Sequence, residues 1–297
     1  MVFIFLVMGN KTRFLWVFDP ESVGLRPVFK LFSRVVFDCV DYYGSGSTPQ
    51  SLKVQHNALK LAQRVDYVFA NSRTLFNFYK KTHHIPHTYL VPQGFRIDSF
   101  ERFIFPEERM KTQTNNRASV GFIGGISRRI DLDLLLELAE KRKDLTFILV
   151  GPVVPFGQHK QFLEKLKKLR SLPNVQLKKN ITDKTKIPPA IDQFDIGMIP
   201  YDISLDFNRY CYPMKLFEYF FMGKPVISTP IEELKRKEFQ HLVKIGSTAD
   251  EWSAQLQQLI VKPWPEKYQQ QQRQLARENS WENKIAAISK VVTSSQA

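Results

Sequence analysis

Short apolar runs alternate with longer mixed stretches along the first hundred residues of this 297-residue chain. The runs are rich in Val and Phe and too short for buried helices, which is typical of strands buried on both faces of a parallel sheet. A helical stretch at 51–63 separates two of them, as a crossover connection would. The predicted strands of this half are residues 2–7, 14–18, 34–40, 67–70 and 88–91.

A polar segment without periodicity, residues 106–119, predicts a linker to a second series of the same kind. Strands and helices alternate again there, so we expect a second parallel α/β sheet. The glutamine-rich stretch 269–274 favours a solvated helix face. The predicted strands are 120–123, 146–150, 175–177, 196–200, 226–229 and 242–245, with helices at 131–141 and 187–193 and a final pair that begins at Ala249 and Ser280.

The segment 212–229 (YPMKLFEYFFMGKPVIST) predicts a helix followed at once by a buried strand. Pro213 suits the first helical turn, and Gly223 is a typical helix end. Two charges, Lys215 and Glu218, stand three residues apart in this apolar helix and therefore share one face. They form either an ordinary ion pair or a site for a phosphate and a sugar hydroxyl pair at the helix N-terminus.

This run resembles the nucleotide-sugar signature of bacterial GT-B glycosyltransferases of the group 1 or GT4-like class, in the subset reading P-x-K-L-x-E-Y-x-x-x-G-K-P-V. The resemblance implies that Glu218 holds the ribose hydroxyls of a donor nucleotide and that Lys215 lies near its diphosphate. Pro213 belongs to the same predicted donor site. Many members carry a second, earlier glutamate where this chain has Tyr210, and that departure concerns sugar contacts rather than nucleotide binding.

The resemblance extends from about residue 15 to 288 and implies a GT-B fold of two doubly wound, Rossmann-like domains. The first, residues 1–112, would be the acceptor-side domain, and family members usually have three more strands before position 15. We therefore expect a fragment or a natural truncation. Residues 113–279 would bind the nucleotide sugar, and 280–297 would form a helix that packs back on the first domain. Supporting segments are FDCVD, DYVFANS, VPQGF, GFIGGISRRIDLDLL, FILVGP and NSWENKIAAI.

A glycine-containing turn follows the predicted strand 120–123. Gly124 and Gly125 would let backbone N–H groups approach a pyrophosphate, although a tight strand–helix turn explains them equally well. The family places a basic residue that contacts the diphosphate in this loop, which points to Arg128 or Arg129 without choosing between them.

The acceptor side offers two carboxylates at the end of the predicted strand 34–40. Asp38 and Asp41 lie where α/β sheets bind their ligands, and a transferase of the inverting type needs a base there. Asp41 is the candidate catalytic base, while capping of the following turn is the alternative for both residues.

No metal is expected. Asp131 and Asp133 look like a D-x-D motif, but Asp131 suits the N-cap of the helix that follows, and the GT-B family needs no bound metal. His83, His84 and His87 lie in a predicted loop and are better explained by solvation than by a metal. Cys39 and Cys211 are expected to be buried free thiols.

The composition is globular, with 43% hydrophobic residues, but the net charge is +14. A basic surface of this kind attracts nucleotides, nucleic acids or anionic lipids. The stretch 159–170 predicts an amphipathic basic helix whose apolar stripe either faces its own sheet or lies on a membrane. Phe162 is the one aromatic residue of this basic stretch, too few for a row of stacked bases, which argues against specific nucleic-acid binding.

The function expected from the resemblance is transfer of a sugar from a nucleoside-diphosphate sugar, with UDP favoured over GDP, to a lipid-linked or polysaccharide acceptor in cell-surface glycan synthesis. The protein would be cytoplasmic, with peripheral attachment to an anionic inner membrane face left open. A non-catalytic or remnant sugar-nucleotide-binding protein is the alternative.

Overall fold

The computed structural model describes residues 5–8, 13–43, 48–103, 117–154 and 160–294. It divides into two compact units. The first consists of Met1–Gly94, Ser204–Tyr212 and Glu282–Ala297, and the second of Phe95–Ile203 and Pro213–Trp281. The predicted boundary at 112/113 lies outside the described residues.

Strands make up one sheet in each unit. They are β1 (Phe5–Met8), β2 (Arg13–Val17), β3 (Arg34–Cys39), β4 (Tyr67–Ala70), β5 (Thr88–Leu90), β6 (Ser119–Ile123), β7 (Thr146–Val150), β8 (Val175–Lys178), β9 (Ile196–Ile199), β10 (Val226–Ser228) and β11 (Val243–Ile245).

Helices connect and cover these strands. They are α1 (Arg26–Phe29), α2 (Pro49–Ala62), α3 (Arg73–Asn77), α4 (Asp98–Glu101), α5 (Leu132–Lys141), α6 (Lys160–Ser171), α7 (Ile187–Asp192), α8 (Asp206–Arg209), α9 (Lys215–Phe221), α10 (Ala249–Val261), α11 (Glu266–Glu278) and α12 (Trp281–Ser294).

The sheet of the first unit has the order β1-β2-β3-β4-β5. From β2 to β5 the strands are parallel, as the alternation of runs and helices predicts. The edge strand β1 is antiparallel to β2, which corrects the all-parallel expectation. Too few residues separate β1 from β2 for a crossover, and a short connection joins antiparallel neighbours only. Residues 2–4 of the predicted strand lie outside the described ones.

One face of this sheet is covered by α12. Ile288 and Val292 of α12 form a buried cluster with residues of β3 and β4 that includes Val36 and Phe69. Within this interface Lys284 Nζ lies 2.8 Å from the Asp38 carboxylate, and both side chains are almost fully buried. An ion pair therefore joins residues 246 positions apart in the sequence.

The sheet of the second unit has the order β11-β10-β9-β6-β7-β8, and its strand pairs are parallel. From β6 the chain builds outward through β7 and β8, then returns to the other side of β6 with β9. The order reverses between β6 and β9, and in open α/β sheets the carboxyl ends at such a point form the ligand crevice. The loops after Ile123 and Ile199 meet there.

Two local expectations have clear outcomes in this unit. Asp131 Oδ1 accepts the Leu134 N–H at 2.9 Å, so the N-cap prediction for α5 is confirmed. The helices predicted from Ala249 and Ser280 are α10 and α12, and α11, which carries the glutamine-rich stretch, stands between them. Its residue Gln272 is not on a solvated face but fully buried, where its amide bonds Lys224 O and accepts from Trp264 Nε1.

Other polar groups have structural partners. The His87 ring bonds the carbonyl oxygen of Ala62, and Cys39 and Cys211 are buried free thiols, as expected. Among the described residues, no group of three or more His, Cys, Asp or Glu side chains is arranged to hold a metal. Within the same ranges, a helix with the length and apolarity of a membrane span does not occur.

Candidate functional site

The helix α9 is buried along most of its length, with Leu216, Phe217 and Phe220 inaccessible to solvent. Tyr219 fixes its position, because its hydroxyl accepts the Ile123 N–H at 3.2 Å and donates toward carbonyl oxygens of the sheet. Gly223 ends the helix with a φ of +64°, which confirms the predicted stop.

Pro213 lies one residue before the N-cap, Met214, and not in the first helical turn, which corrects that expectation. Its carbonyl oxygen accepts the N–H of Leu216 at 3.1 Å. The proline therefore fixes the chain's entry into α9, and the first helical residue is Lys215.

Gly124 and Lys215 come together at the carboxyl edge of the sheet. A Cβ added at Gly124 would lie 2.4 Å from Lys215 Cε and 2.6 Å from Nζ. Gly124 also has a φ of +139°, which side chains rarely allow. Gly151, after β7, packs equally closely on the Gly124 carbonyl oxygen. Gly124 thus lets the lysine lie against the main chain of the turn, and Gly151 lets the end of β7 approach the same turn.

The Lys215 ammonium is held among aromatic groups. Its Nζ lies 5.2 Å from the centre of the Phe122 ring and 5.9 Å from that of Tyr201. Burial lowers the pKa of this group, but the interactions with Tyr201 and Glu218 outweigh it, and the net pKa is raised. The side chain therefore remains a cation in a half-buried position.

Arg129 reaches the same cluster. Its guanidinium carbon lies 4.9 Å from the centre of the Tyr201 ring, and its charge acts on Lys215. Arg128, the alternative in the sequence, is exposed. The Tyr201 ring therefore lies near two cations, Lys215 and Arg129. A bound anion would offset the repulsion between their charges.

Glu218 occupies the next turn of α9 and is half-buried. Burial raises the pKa of its carboxyl group, and the charges of Lys215 and Lys184 offset part of this rise. The structure thus places Lys215 and Glu218 within electrostatic range, as their spacing predicts, with the ammonium directed toward the aromatic rings.

A cavity of about 420 Å³ opens at the ends of β7 and β8. Its walls combine apolar side chains with lysines, and Lys178 Nζ bonds Gln193 Oε1 at 3.0 Å. It is lined by Val150, Lys178, Lys179, Ile181, Lys186, Pro189, Ala190 and Gln193. Lys186 of this lining is two residues from Lys184, whose charge acts on Glu218.

The family model described as glycosyl transferases group 1 matches residues 117–262, which include the glycine turn, the cavity and α9. This stretch of the chain resembles the group 1 glycosyltransferases, and the chain is a glycosyltransferase. TuaH of Bacillus subtilis strain 168, which bears the name of a teichuronic acid biosynthesis glycosyltransferase, is 27% identical over 279 residues, covering 90% of this chain and 68% of TuaH.

Solved structures show that this glycosyltransferase has the GT-B fold. HepE from Anabaena, solved in complex with UDP, matches with a TM-score of 0.73 and 16% identity over 95% of this chain and 78% of HepE. The sucrose-phosphate synthase of Thermosynechococcus elongatus matches with a TM-score of 0.72 and 14% identity over 95% of this chain and 73% of its own.

In the first unit of this glycosyltransferase, the two candidate carboxylates have different surroundings. Asp38 is fully buried, bonded to Lys284 and to Trp16 Nε1 at 3.3 Å, so it has a structural role. Burial raises its pKa, while Lys284 and Trp16 oppose the rise. Asp41 follows the strand and is half-buried, so it remains the candidate base.

Sequence reasoning missed Tyr201. It follows β9, is buried, and lies between the two predicted cations. Its position directly after a predicted strand of a parallel sheet is the one signal in the sequence that could have drawn attention to it.

Proposed function

We propose that this glycosyltransferase transfers a sugar from a UDP-sugar to a lipid-linked or polysaccharide acceptor in the synthesis of a cell-surface glycan. The observation that carries the proposal is the convergence of Lys215 and Arg129 on the Tyr201 ring, at the carboxyl edge where the strand order reverses. Two adjacent cations at such an edge suit a diphosphate.

The remaining donor contacts follow from the same geometry. Gly124 and Gly125 leave the main chain of the turn open to the diphosphate, with Arg128 at the exposed side of the loop. Glu218 would accept hydrogen bonds from ribose hydroxyls, and the cavity near Lys184 would take the nucleoside base between its apolar walls. The relatives support UDP, since HepE was solved with UDP and with UDP-glucose.

In this proposal the departing UDP is stabilised without a bound metal. Lys215 is held as a cation by Tyr201 and Glu218, so its charge is in place before the phosphate–sugar bond breaks. Fixed positive groups of this kind stabilise the charge that develops on the leaving group. Asp41 is proposed as the base that accepts the proton of the acceptor hydroxyl.

The name of TuaH supports a glycan acceptor of the cell surface.

Contact with an anionic membrane is part of the proposal. In α6, Leu166 and Leu169 face the interior, while Leu163 is 47% exposed beside the exposed Lys167 and Arg170. Sedimentation with phosphatidylglycerol vesicles should fall for the Lys167→Glu/Arg170→Glu variant and be unchanged for Lys262→Glu. Equal sedimentation of all three proteins would remove the membrane from the proposal.

Calorimetric titration with UDP, GDP and ADP tests the donor site. We expect selective binding of UDP, loss of binding in Glu218→Ala, and unchanged binding in Glu266→Ala, which removes an exposed carboxylate from α11. Equal binding of all three nucleotides, or UDP binding that survives Glu218→Ala, would contradict the assignment. Addition of EDTA should leave the affinity unchanged.

A further inference from the structure

Four half-exposed aromatic side chains form a continuous cluster in the first unit. The centre of the Tyr42 ring lies 5.2 Å from that of Tyr210 and 5.7 Å from that of Phe78. Phe78 in turn contacts the His83 ring at 4.5 Å. These rings come from three separate segments of the chain, so the fold assembles an aromatic surface that no single segment contains.

Charged groups surround the two tyrosines of this cluster. The Arg209 guanidinium carbon lies 5.5 Å from the centre of the Tyr210 ring. The pKa of the Tyr42 hydroxyl is raised by burial and by the nearby Asp206 and Tyr210. A carboxylate and a guanidinium thus flank one pair of aromatic rings, and both can bond hydroxyl groups.

Packing alone does not explain both tyrosines. Tyr42 and Phe78 rest against the core of the first unit, but the neighbouring Tyr43 already uses its hydroxyl inside, where it donates to Phe18 O at 2.7 Å. Among the described residues, none forms a hydrogen bond with the hydroxyl of Tyr42 or of Tyr210. Rings that are half-exposed, with polar tips left for a ligand, are typical of binding surfaces.

We propose that Tyr42 and Tyr210 form a sugar-binding subsite that holds a pyranose ring of the glycan acceptor, with Asp206 and Arg209 bonding its hydroxyls. This inference rests on the proposed function. The C–H bonds on one face of a pyranose are apolar and pack on an aromatic ring, while the hydroxyls at its edge need charged or polar partners. The cluster provides both kinds of contact within one surface.

Saturation-transfer NMR tests the subsite in the full chain with saturating UDP. The probes are the methyl glycosides of glucose, N-acetylglucosamine and glucuronic acid. We expect a signal from at least one glycoside, reduced at least about fivefold in Tyr42→Ala and in Tyr210→Ala. Tyr210→Phe keeps the ring and should retain most of the signal, which separates stacking from a folding defect.

Tyr268→Ala is the matched control. Tyr268 is a half-exposed tyrosine of the second unit, and Lys267 Nζ lies 5.1 Å from its ring centre, much as Arg209 lies over Tyr210. An equal loss in this variant would overturn the proposal, as would a full signal in Tyr210→Ala or no signal from the wild type with any glycoside. UDP affinity is measured separately on each protein, so a failure of the donor site is not mistaken for a failure of this one.

Discussion

Gly124 lies directly against the Lys215 side chain, so that a methyl group at Gly124 would come within 2.4 Å of Lys215 Cε. The contact joins the turn after β6 to the first residue of α9. The Lys215 ammonium can therefore take this position only because Gly124 has no side chain.

Gly124→Ala should therefore weaken UDP binding. The added methyl group displaces Lys215 and also meets a φ of +139°, so we expect an affinity loss of about tenfold or more, roughly 1.4 kcal/mol. Gly24→Ala is the control, since a Cβ added there would meet no atom within 4 Å and Gly24 belongs to the first unit, outside the proposed donor site. Calorimetric titration measures the UDP affinity of both variants. A similar loss of affinity in both would show that the contact between Gly124 and Lys215 does not determine UDP binding.

Tyr201→Phe isolates the hydroxyl from the ring. The ring that Lys215 and Arg129 share is kept, but the hydroxyl that interacts with the Lys215 ammonium is lost. We expect UDP to bind about three- to tenfold more weakly, in line with roughly 1 kcal/mol for one hydrogen bond. Tyr268→Phe should bind UDP like the wild type, and an unaltered affinity in Tyr201→Phe would leave the hydroxyl without a role in positioning the cation.

The affinity for UDP-glucose should fall in mildly acidic solution. Burial raises the pKa of Glu218 above its ordinary value of 4.5, so its carboxylate is lost at a higher pH than that of an exposed glutamate. UDP-glucose is the better probe, because the terminal phosphate of UDP titrates itself at about pH 6. In Glu218→Gln the affinity should be lower and independent of pH over this window. A parallel decline in the variant would assign the pH dependence to another group.

Lys284→Met should destabilise the protein by about 3–5 kcal/mol, because it leaves the fully buried Asp38 without a counter-charge. Urea denaturation measures the change, and Lys290→Met on the exposed side of the same helix should cost little.

The same variant should show a pH dependence of defined sign. Without Lys284 the folded-state pKa of Asp38 rises further above its unfolded value, so the folded state binds a proton that the unfolded state lacks. The deficit relative to the wild type should therefore shrink toward about pH 5 and grow at neutral pH. A deficit that is constant with pH would point to lost packing instead.

Elements with strong local signals could be predicted from the sequence. Strands β4 and β7 follow from buried β-branched and aromatic runs, and the start of α5 from its Asp131 cap, because each signal lies within a few residues. The burial of Gln272 could not be predicted from the sequence, because its hydrogen-bond partners at Lys224 and Leu242 come from other segments.

Some residues of the candidate site could likewise be predicted from local sequence, and others could not. Lys215 and Glu218 stand out because one helical turn brings them together and the motif is a familiar one. The choice between Arg128 and Arg129 needs the Tyr201 ring, which reaches Arg129 from a different loop. Side chains that meet only at the edge of a sheet carry no periodicity that a single sequence could show.

The ion pair between Asp38 and Lys284 also affects the order in which the two units can finish folding during translation. A ribosome makes the strands of the first unit long before it makes α12, and the buried cluster around Phe69 lacks Ile288 and Val292 until then. The second unit can complete its own sheet earlier, since α10 and α11 precede α12 in the chain. The unit that emerges first is thus the one that completes its core last, and its apolar cluster stays open to solvent until α12 has been made.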